Sequence, residues 1–169
     1  MMNKMLGRTA IVAGTCLALG VASSRTAHGQ ATSQKGAAVT MHAKGTFDVK
    51  MTPQPGDEQS GGASITRYTF EKQFHGDIEG TSKGQMLGAG NPAKGSAGYV
   101  AMETVTGTIA GRSGSFVLQH NGTMDAGGLQ LKVVVSPGSG TGDFAGISGT
   151  MSIEITGGKH FYDFAYTLP

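Results

Sequence analysis

An alternation of apolar and polar residues, which runs from Val39 to the carboxyl end, most limits the folds open to this chain. A period of two places successive side chains on opposite faces of a half-buried β-strand. No segment of useful length has the 3.6-residue period of an amphipathic helix. The chain is therefore predicted to be all-β. The apolar set of the first strand is Val39, Met41, Ala43, Phe47, Val49 and Met51.

Glycine and proline divide the alternating segments into short strands. Residues 64–74 and 78–87 form the second and third predicted strands, and a glycine-rich loop over residues 88–98 leads into the fourth. Eight or nine such antiparallel strands, in a chain with 29 glycines, predict a closed barrel or a sandwich. Four glycines within strands favour a single β-barrel, where strands bend sharply: Gly45, Gly80, Gly107 and Gly122.

Tight turns set the register of the later strands. Hairpins are predicted at Ala126-Gly127 and at Gly157-Gly158. Residues 106–116 match residues 141–151 at most positions, so the same tight hairpin is predicted in both places. The resulting pairs include Leu118 with Val135, His120 with Val133, and Met151 with Phe164.

Glu103 and His120 are the candidate catalytic residues, because each lies in phase with the apolar face of its own strand. A two-residue turn at Gly111-Arg112 makes them directly opposed, with Cβ atoms about 4.5–5.5 Å apart. A carboxylate that faces an imidazole inside an apolar barrel is suited to general acid–base chemistry. The alternative is a buried, mutually satisfied polar pair that fixes the register.

Tyr99, Tyr162 and Tyr166 are candidate ligand-binding residues, since tyrosines in a pocket can orient an oxygenated ligand. The alternative is that they are core residues whose hydroxyl groups face water. His160 shares the interior phase but lies beside a turn, where a solvated rim position is expected. The histidines fall on different strands, and residues 30–169 contain no cysteine. Neither a metal site nor a cofactor is predicted.

Residues 1–29 have the features of a secretory signal peptide. Lys4 and Arg8 precede an uncharged stretch, and the small residues Ala27 and Gly29 indicate cleavage after them. The apolar stretch is too short for a membrane span, and an uncleaved N-terminal anchor is the alternative. The mature protein is predicted to be exported, to the periplasm or the extracellular space, with no stable membrane span.

Removal of the leader changes the charge of the chain. Of 13 Lys and Arg residues 10 remain, against 11 Asp and Glu, so the net charge becomes −1. No basic cluster remains, which argues against nucleic acid as a partner. Residues 30–38 are predicted to be a flexible lead-in, and residues 39–169 one β-barrel domain. Nothing in the sequence indicates an oligomeric state.

Several segments resemble a bacterial family, domain of unknown function 3224, and the match covers nearly the whole mature chain. They are residues 76–82, 98–103, 111–120 and 137–142. In addition, Gly140-x-Gly142-x-Phe144-x-Gly146-x-x-Gly149, followed by Phe161-Tyr162-x-Phe164, is similar to the last third of the allene oxide cyclase and dirigent barrels. The resemblance implies an allene oxide cyclase-like β-barrel with a hydrophobic cavity that needs no metal or cofactor. It assigns no activity.

The sequence leaves three functions open. The first is an exported barrel that binds one small lipophilic molecule in its interior. The second is a cofactor-free isomerase or cyclase of a lipophilic substrate, with Glu103 as base or charge stabiliser and His120 as its partner. The third is a structural module whose interior is filled by its own side chains.

Overall fold

The computed structural model describes residues 38–55 and 65–169, which form a closed antiparallel β-barrel of eight strands with one extra strand. The strands are β1 (Met41–Gln54), β2 (Ile65–Gly76), β3 (Ile78–Asn91), β4 (Ser96–Ile109), β5 (Arg112–Asp125), β6 (Gly128–Val135), β7 (Thr141–Gly142), β8 (Ser148–Thr156) and β9 (Lys159–Thr167). The helical structure in these ranges is one 3-10 turn, Pro92–Lys94. The predicted all-β single barrel is confirmed. The predicted signal peptide and the lead-in up to residue 37 lie outside the described residues.

Ladders between neighbouring strands close the barrel. The strands pair in the order β4-β3-β2-β1-β9-β8-β6-β5, and a further β4–β5 ladder completes the ring. The β6–β8 ladder is short, with Val134 paired to Thr150. The extra strand β7 pairs with β5 beyond the end of β6. Closure removes the unpaired edges that an open sheet would present.

The two ends of the barrel differ. At the plugged end, the segment that joins β6 to β8 turns inward and buries Phe144 and Ile147. The Phe144 ring meets the Phe116 ring edge-on, with centroids 5.5 Å apart. At the open end, β1 continues to Gln54 beside β2, whereas its pairing with β9 stops at Phe47. The β8–β9 hairpin is thus shorter than the strands opposite it.

The hydrophobic core lies on the interior face, mainly towards the plugged end. Phe164 is fully buried between Phe116 and Tyr166, whose ring centroids lie 5.3 and 5.2 Å from its own. Burial of such side chains stabilises the fold by about 1.5–3 kcal/mol each. The core cluster also includes Ala43, Phe47, Phe74, Ile78, Val105, Ile109, Leu118, Val133, Val135, Met151 and Tyr162.

The turn between β4 and β5 differs from the predicted one. Its central residues are Ala110 and Gly111, both with positive φ (50° and 78°), and Ile109 pairs with Arg112. Positive φ at both central positions is the type I′ geometry, whose twist matches the twist of antiparallel strands. Glycine adopts this conformation without steric cost, so placing Gly111 second fits the turn.

This turn moves the β4–β5 register by two residues. Glu103 pairs with Leu118, and His120 pairs with Ala101, so the predicted direct opposition of Glu103 and His120 is wrong. A shift of two residues leaves every side chain on its predicted face, because the strand period is also two. Glu103 and His120 therefore still share the interior.

Of the other three predicted hairpins, two are confirmed and one is wrong. The hairpins at Ala126-Gly127 and Gly157-Gly158 have the predicted registers. The predicted second copy of the tight hairpin is wrong, because β7 pairs with β5 and not with β8. Asp143 holds this segment to β5, since its carboxylate accepts from Ser113 N at 3.0 Å and its own N–H donates to Ser113 O at 2.9 Å.

The predicted loop over residues 88–98 is also wrong. The β3–β4 ladder continues to the pair Asn91 and Ser96, and only a short turn joins the two strands. The Asn91 side chain accepts a hydrogen bond from Ala93 N at 3.0 Å and caps this turn. The glycines in this segment therefore contribute no side chains, but they do not end the strands.

Candidate functional site

Four buried polar side chains lie on four consecutive strands in the middle of the barrel. Lys72 on β2, Ser82 on β3, Glu103 on β4 and His120 on β5 are the buried polar and charged residues of the described ranges. All four point inward because each shares the phase of the core residues on its strand. We refer to them as the polar cluster.

Glu103 is the centre of the polar cluster. Lys72 Nζ and His120 Nε2 each donate to Glu103 Oε2 at 2.8 Å, and Ser82 Oγ donates to Glu103 Oε1. Because an ionised carboxylate only accepts, the proton of this contact resides on His120 Nε2. Both carboxylate oxygens of Glu103 are thus satisfied by protein groups.

Aromatic rings surround the ammonium group of Lys72. Its Nζ lies 4.4 Å from the ring centroid of Phe47, 5.4 Å from that of Phe70 and 5.9 Å from that of Phe74. Cations within about 6 Å of a ring centroid are attracted by the ring quadrupole. The rings and the Glu103 carboxylate together replace the water that a buried lysine loses.

Glu103 is ionised despite its complete burial. Burial alone would raise its pKa, but the hydrogen bond from His120, the charge and hydrogen bond of Lys72, and the hydrogen bond from Ser82 outweigh burial and lower the pKa. Lys72 and Glu103 therefore form a buried ion pair of zero net charge.

Acid is expected to weaken the fold through Glu103. A carboxyl group whose pKa is lowered in the folded state contributes stability above its unfolded pKa, about 4.3, and that contribution is lost as the pH falls through the folded value. Thermal unfolding between about pH 7 and pH 2 should therefore show a smaller acid loss in Glu103→Gln than in the unchanged protein.

Asp163→Asn is the matched surface control for the acid experiment. The pKa of Asp163 is also lowered, by hydrogen bonds from His42 and Lys44, but this group lies on the outer surface. If Asp163→Asn removes more of the acid loss than Glu103→Gln does, the buried carboxylate does not dominate acid unfolding.

One nitrogen of His120 is not used by the protein. Its Nε2 is bound to Glu103, while its Nδ1 has no hydrogen-bond partner among the described residues. Those residues contain no buried side-chain N or O atom without a partner, so Nδ1 reaches accessible surface. His120 points inward from β5, and it also lines the recess of about 1560 Å³ described below. A neutral imidazole held in this way presents a hydrogen-bond acceptor at Nδ1.

Phe70 covers the polar cluster on the side of the open end. Its ring lies edge-on to the His120 ring, with centroids 6.5 Å apart. This position requires Gly84, because a Cβ at residue 84 would lie 2.2 Å from Phe70 Cζ. Tyr99 lies in the same way over Gly122, where an added Cβ would be 2.2 Å from Tyr99 Cε1. The two glycines allow aromatic rings to lie flat against the wall around His120.

Inward-pointing apolar side chains at the open end are incompletely covered. They have the phase of the core residues but lie at the end of the barrel where the β8–β9 hairpin is shorter than the strands opposite it. We refer to this region as the mouth. Its half-buried members are Tyr68, Met86, Tyr99, Met124 and Leu131, and its exposed members are Met51, Leu129 and Ile155.

The three predicted ligand-binding tyrosines have different environments. Tyr162 is buried, and its hydroxyl accepts from Ile78 N at 2.9 Å and donates to His75 O at 3.3 Å. Tyr166 is buried beside Phe164 in the core. Tyr99 is half-buried at the mouth, and its pKa is raised by burial and then by the charge of Glu103. Of the three, Tyr99 alone lies beside the polar cluster.

His160 is half-buried next to the turn that joins β8 and β9. Its ring stacks on Phe47 with centroids 4.9 Å apart. It lines a second, smaller recess of about 390 Å³ together with His75, Asp48 and Lys159. Among residues 38–55 and 65–169, no group of three or more His, Asp or Glu side chains is arranged to hold a metal ion.

A larger recess of about 1560 Å³ lies along strands β1 to β5. Most of its lining side chains belong to the outward-pointing set, including Leu87, Val100 and Met102. Residues of the inward-pointing set also contribute to it, namely Tyr68, Phe70, Gly84, Met86, Ala101 and His120. The recess is thus mainly a concavity of the outer wall, but it shares Tyr68 and Met86 with the mouth.

Lys72 and Ser82 were not expected from the sequence as partners of Glu103. Lys72 lies in phase with Tyr68, Phe70 and Phe74 on β2. A lysine at an interior position of a strand is the sequence signal that could have identified it as a partner of Glu103. Its significance depends on the β2–β3–β4 register, which places Lys72 beside Ser82 on β3 and leaves Glu103 on the strand after that, β4.

Comparison with known proteins places the chain in a family. Residues 43–166 match the family described as protein of unknown function DUF3224. The chain belongs to the DUF3224 family. A solved structure of a protein with unknown function from this family, from Shewanella oneidensis MR-1, is 45% identical in sequence, with a TM-score of 0.71. That match covers 78% of this chain and 99% of the other.

Other comparisons add little to the DUF3224 assignment. No curated protein matches the chain. The similarity to allene oxide cyclase and dirigent barrels stays a prediction. No helix in the described part of the chain is long and apolar enough to cross a membrane.

Proposed function

We propose that this DUF3224 protein is exported and holds one small, mostly apolar molecule at the mouth of its barrel. The observation that carries the proposal is the mouth itself, where inward-pointing apolar side chains stay uncovered above a buried polar cluster. Contiguous uncovered apolar surface in a concave position is typical of ligand sites. The accessible Nδ1 of His120 supplies a polar group able to orient a ligand.

Export is the second part of the proposal and rests on residues 1–29. A basic start, an uncharged apolar stretch and small residues before position 30 are the features of a cleaved leader. Intact mass of material from the periplasm or the medium tests this directly. A chain that starts near Gln30 supports export, and a chain that retains Met1 contradicts it.

Filling the mouth should weaken ligand binding. Leu131→Trp adds bulk at a half-buried inward position, so it is expected to weaken binding of the neutral fluorescent lipophile N-phenyl-1-naphthylamine about tenfold or more. Met102→Trp is the control, because Met102 lies on the outer face of β4 and lines the larger recess. Fluorescence titration of both variants measures the effect, and native mass spectrometry of protein from its own host identifies a co-purifying molecule.

The titration also separates the alternatives. Loss of binding in Met102→Trp with retention in Leu131→Trp would place the ligand on the outer wall and overturn the proposal. Absence of binding by the unchanged protein would support the structural module whose interior is filled by its own side chains.

Proton transfer on the bound molecule is a second candidate function, favoured by the geometry of His120. Glu103 fixes Nε2 and would stabilise an imidazolium, which leaves Nδ1 as a base. Nδ1 would take a proton from a carbon next to a carbonyl group and return it to another carbon, so an isomerisation needs no cofactor. Deuterium incorporation into the co-purified molecule in D2O, lost in His120→Gln, is the expected result, and unlabelled ligand contradicts it.

A further inference from the structure

We propose that the molecule held at the mouth is an apolar weak acid whose acid group pairs with Nδ1 of His120. This inference rests on the proposed function and adds the chemical class of the ligand. It follows from the charge of the polar cluster and from the single nitrogen that the cluster leaves accessible.

The charges of Lys72 and Glu103 cancel, and neither group is available to contact the ligand. Lys72 Nζ is bound to Glu103 and enclosed by aromatic rings, and both oxygens of Glu103 are occupied. Neither group is left to pair with a ligand charge. His120 is therefore the basic side chain of the polar cluster that has an accessible, unpartnered nitrogen. His160, which points inward at the same end of the barrel, stacks on Phe47 instead.

A weak acid satisfies Nδ1 in either position of the shared proton. A neutral His120 accepts from the undissociated O–H of the ligand, and a protonated His120 donates to the ligand anion. Only a proton moves between ligand oxygen and Nδ1, so the total charge of cluster and ligand stays zero. A ligand without a donor hydrogen would leave Nδ1 unpaired, which costs free energy. An alcohol would donate a hydrogen bond between neutral groups, which is weaker than the charge-assisted bond between a protonated His120 and a ligand anion.

The groups around His120 are consistent with such a ligand. Glu103 on β4 and Lys72 on β2 are the charged groups that face it, and the cross-strand neighbours Ala101 and Val133 carry no charge. Tyr99 on β4 is a titratable group of the mouth whose pKa is affected by Glu103, and Tyr68 on β2 and His160 on β9 are further titratable groups at this end of the barrel. A raised Tyr99 pKa keeps its hydroxyl protonated, as a further donor for an anion.

Binding of such an acid must be coupled to proton uptake. At neutral pH a carboxylic acid is ionised in water, so pairing it with an initially neutral imidazole takes one proton from solution. By linkage, affinity then falls as the pH rises, by about tenfold per pH unit wherever binding takes up one full proton. A neutral molecule of the same length shows no such dependence.

Decanoate and decan-1-ol are a matched pair of probes for this inference. Calorimetric titration of the folded protein at pH 8, in phosphate and in Tris buffer, gives both affinity and the number of protons taken up. We expect decanoate to bind about tenfold or more tightly than decanol and to take up close to one proton. His120→Gln should lose that preference and the proton uptake.

The outcomes distinguish this inference from the proposed function. Equal binding of the two probes without proton uptake overturns the weak-acid ligand and leaves a lipophile site intact. Binding of neither probe overturns both. If His120→Gln does not fold, the unchanged protein decides the matter, because decanoate affinity that stays flat between about pH 6 and pH 9 also overturns the inference.

Discussion

Replacing Glu103 by Gln is expected to lower the free energy of unfolding by about 3–5 kcal/mol. The side chain of Gln has nearly the same shape, but it leaves the ammonium of Lys72 without a counter-ion among the rings of Phe47, Phe70 and Phe74. Removing one partner of a buried ion pair leaves an uncompensated charge, which costs far more than the pair contributes. Urea unfolding at neutral pH measures the loss.

Glu71→Gln is the matched control for Glu103→Gln. Glu71 pairs with Lys83 at 3.2 Å across the same two strands that carry Lys72 and Ser82, but both side chains are exposed. Exposed pairs contribute about 0–1 kcal/mol, because water screens them and side-chain order costs entropy. A loss in Glu103→Gln no larger than in Glu71→Gln would contradict the buried ion pair.

A double substitution tests whether the polar cluster is needed for folding at all. Lys72→Met with Glu103→Leu removes both charges and keeps the volume, so it should recover much of the stability lost in Glu103→Gln. Strong recovery with loss of ligand binding would mean that the cluster is retained for the ligand. Failure to recover would mean that the cluster stabilises the barrel in a way that apolar packing does not replace.

The phase of the alternation was sufficient to predict which side chains lie inside. The interior phase predicts Leu118, Val133, Ile153 and Phe164 as core residues, and all of them are buried except Ile153, which is half-buried. Glu103 and His120 are also buried. Phase depends only on the geometry of a single strand, so it can be found from local sequence. The prediction of burial from phase is wrong at strand ends. Val39, for example, is exposed because it precedes β1 and is not paired with a neighbouring strand.

Register was harder to predict, because it depends on which of two adjacent turns forms. Ala110-Gly111 and Gly111-Arg112 both place glycine at a position that suits a two-residue turn, and the sequence alone did not separate them. The contact between Glu103 and His120 forms despite the shifted register, since residues on diagonal positions are about 7–8 Å apart and Glu is long enough to span them.

Phe164→Ala is expected to lower the free energy of unfolding by about 3–5 kcal/mol. Phe164 is 0% exposed and its ring stacks between Phe116 and Tyr166, so truncation removes buried apolar surface and leaves a cavity that these rings only partly fill. Urea unfolding with unchanged dependence on denaturant would attribute the loss to the folded core.

Phe161→Ala gives this prediction its sharpest control. Phe161 lies three residues earlier on the same strand, but it points outward and is 41% exposed, so its truncation should cost less than about 1 kcal/mol. The same residue type is removed from the same strand, and only the face differs. Equal losses at the two positions would contradict the assignment of the inner and outer faces of β9. The mouth is defined by the same phase on the neighbouring strands, so its assignment would then be wrong as well.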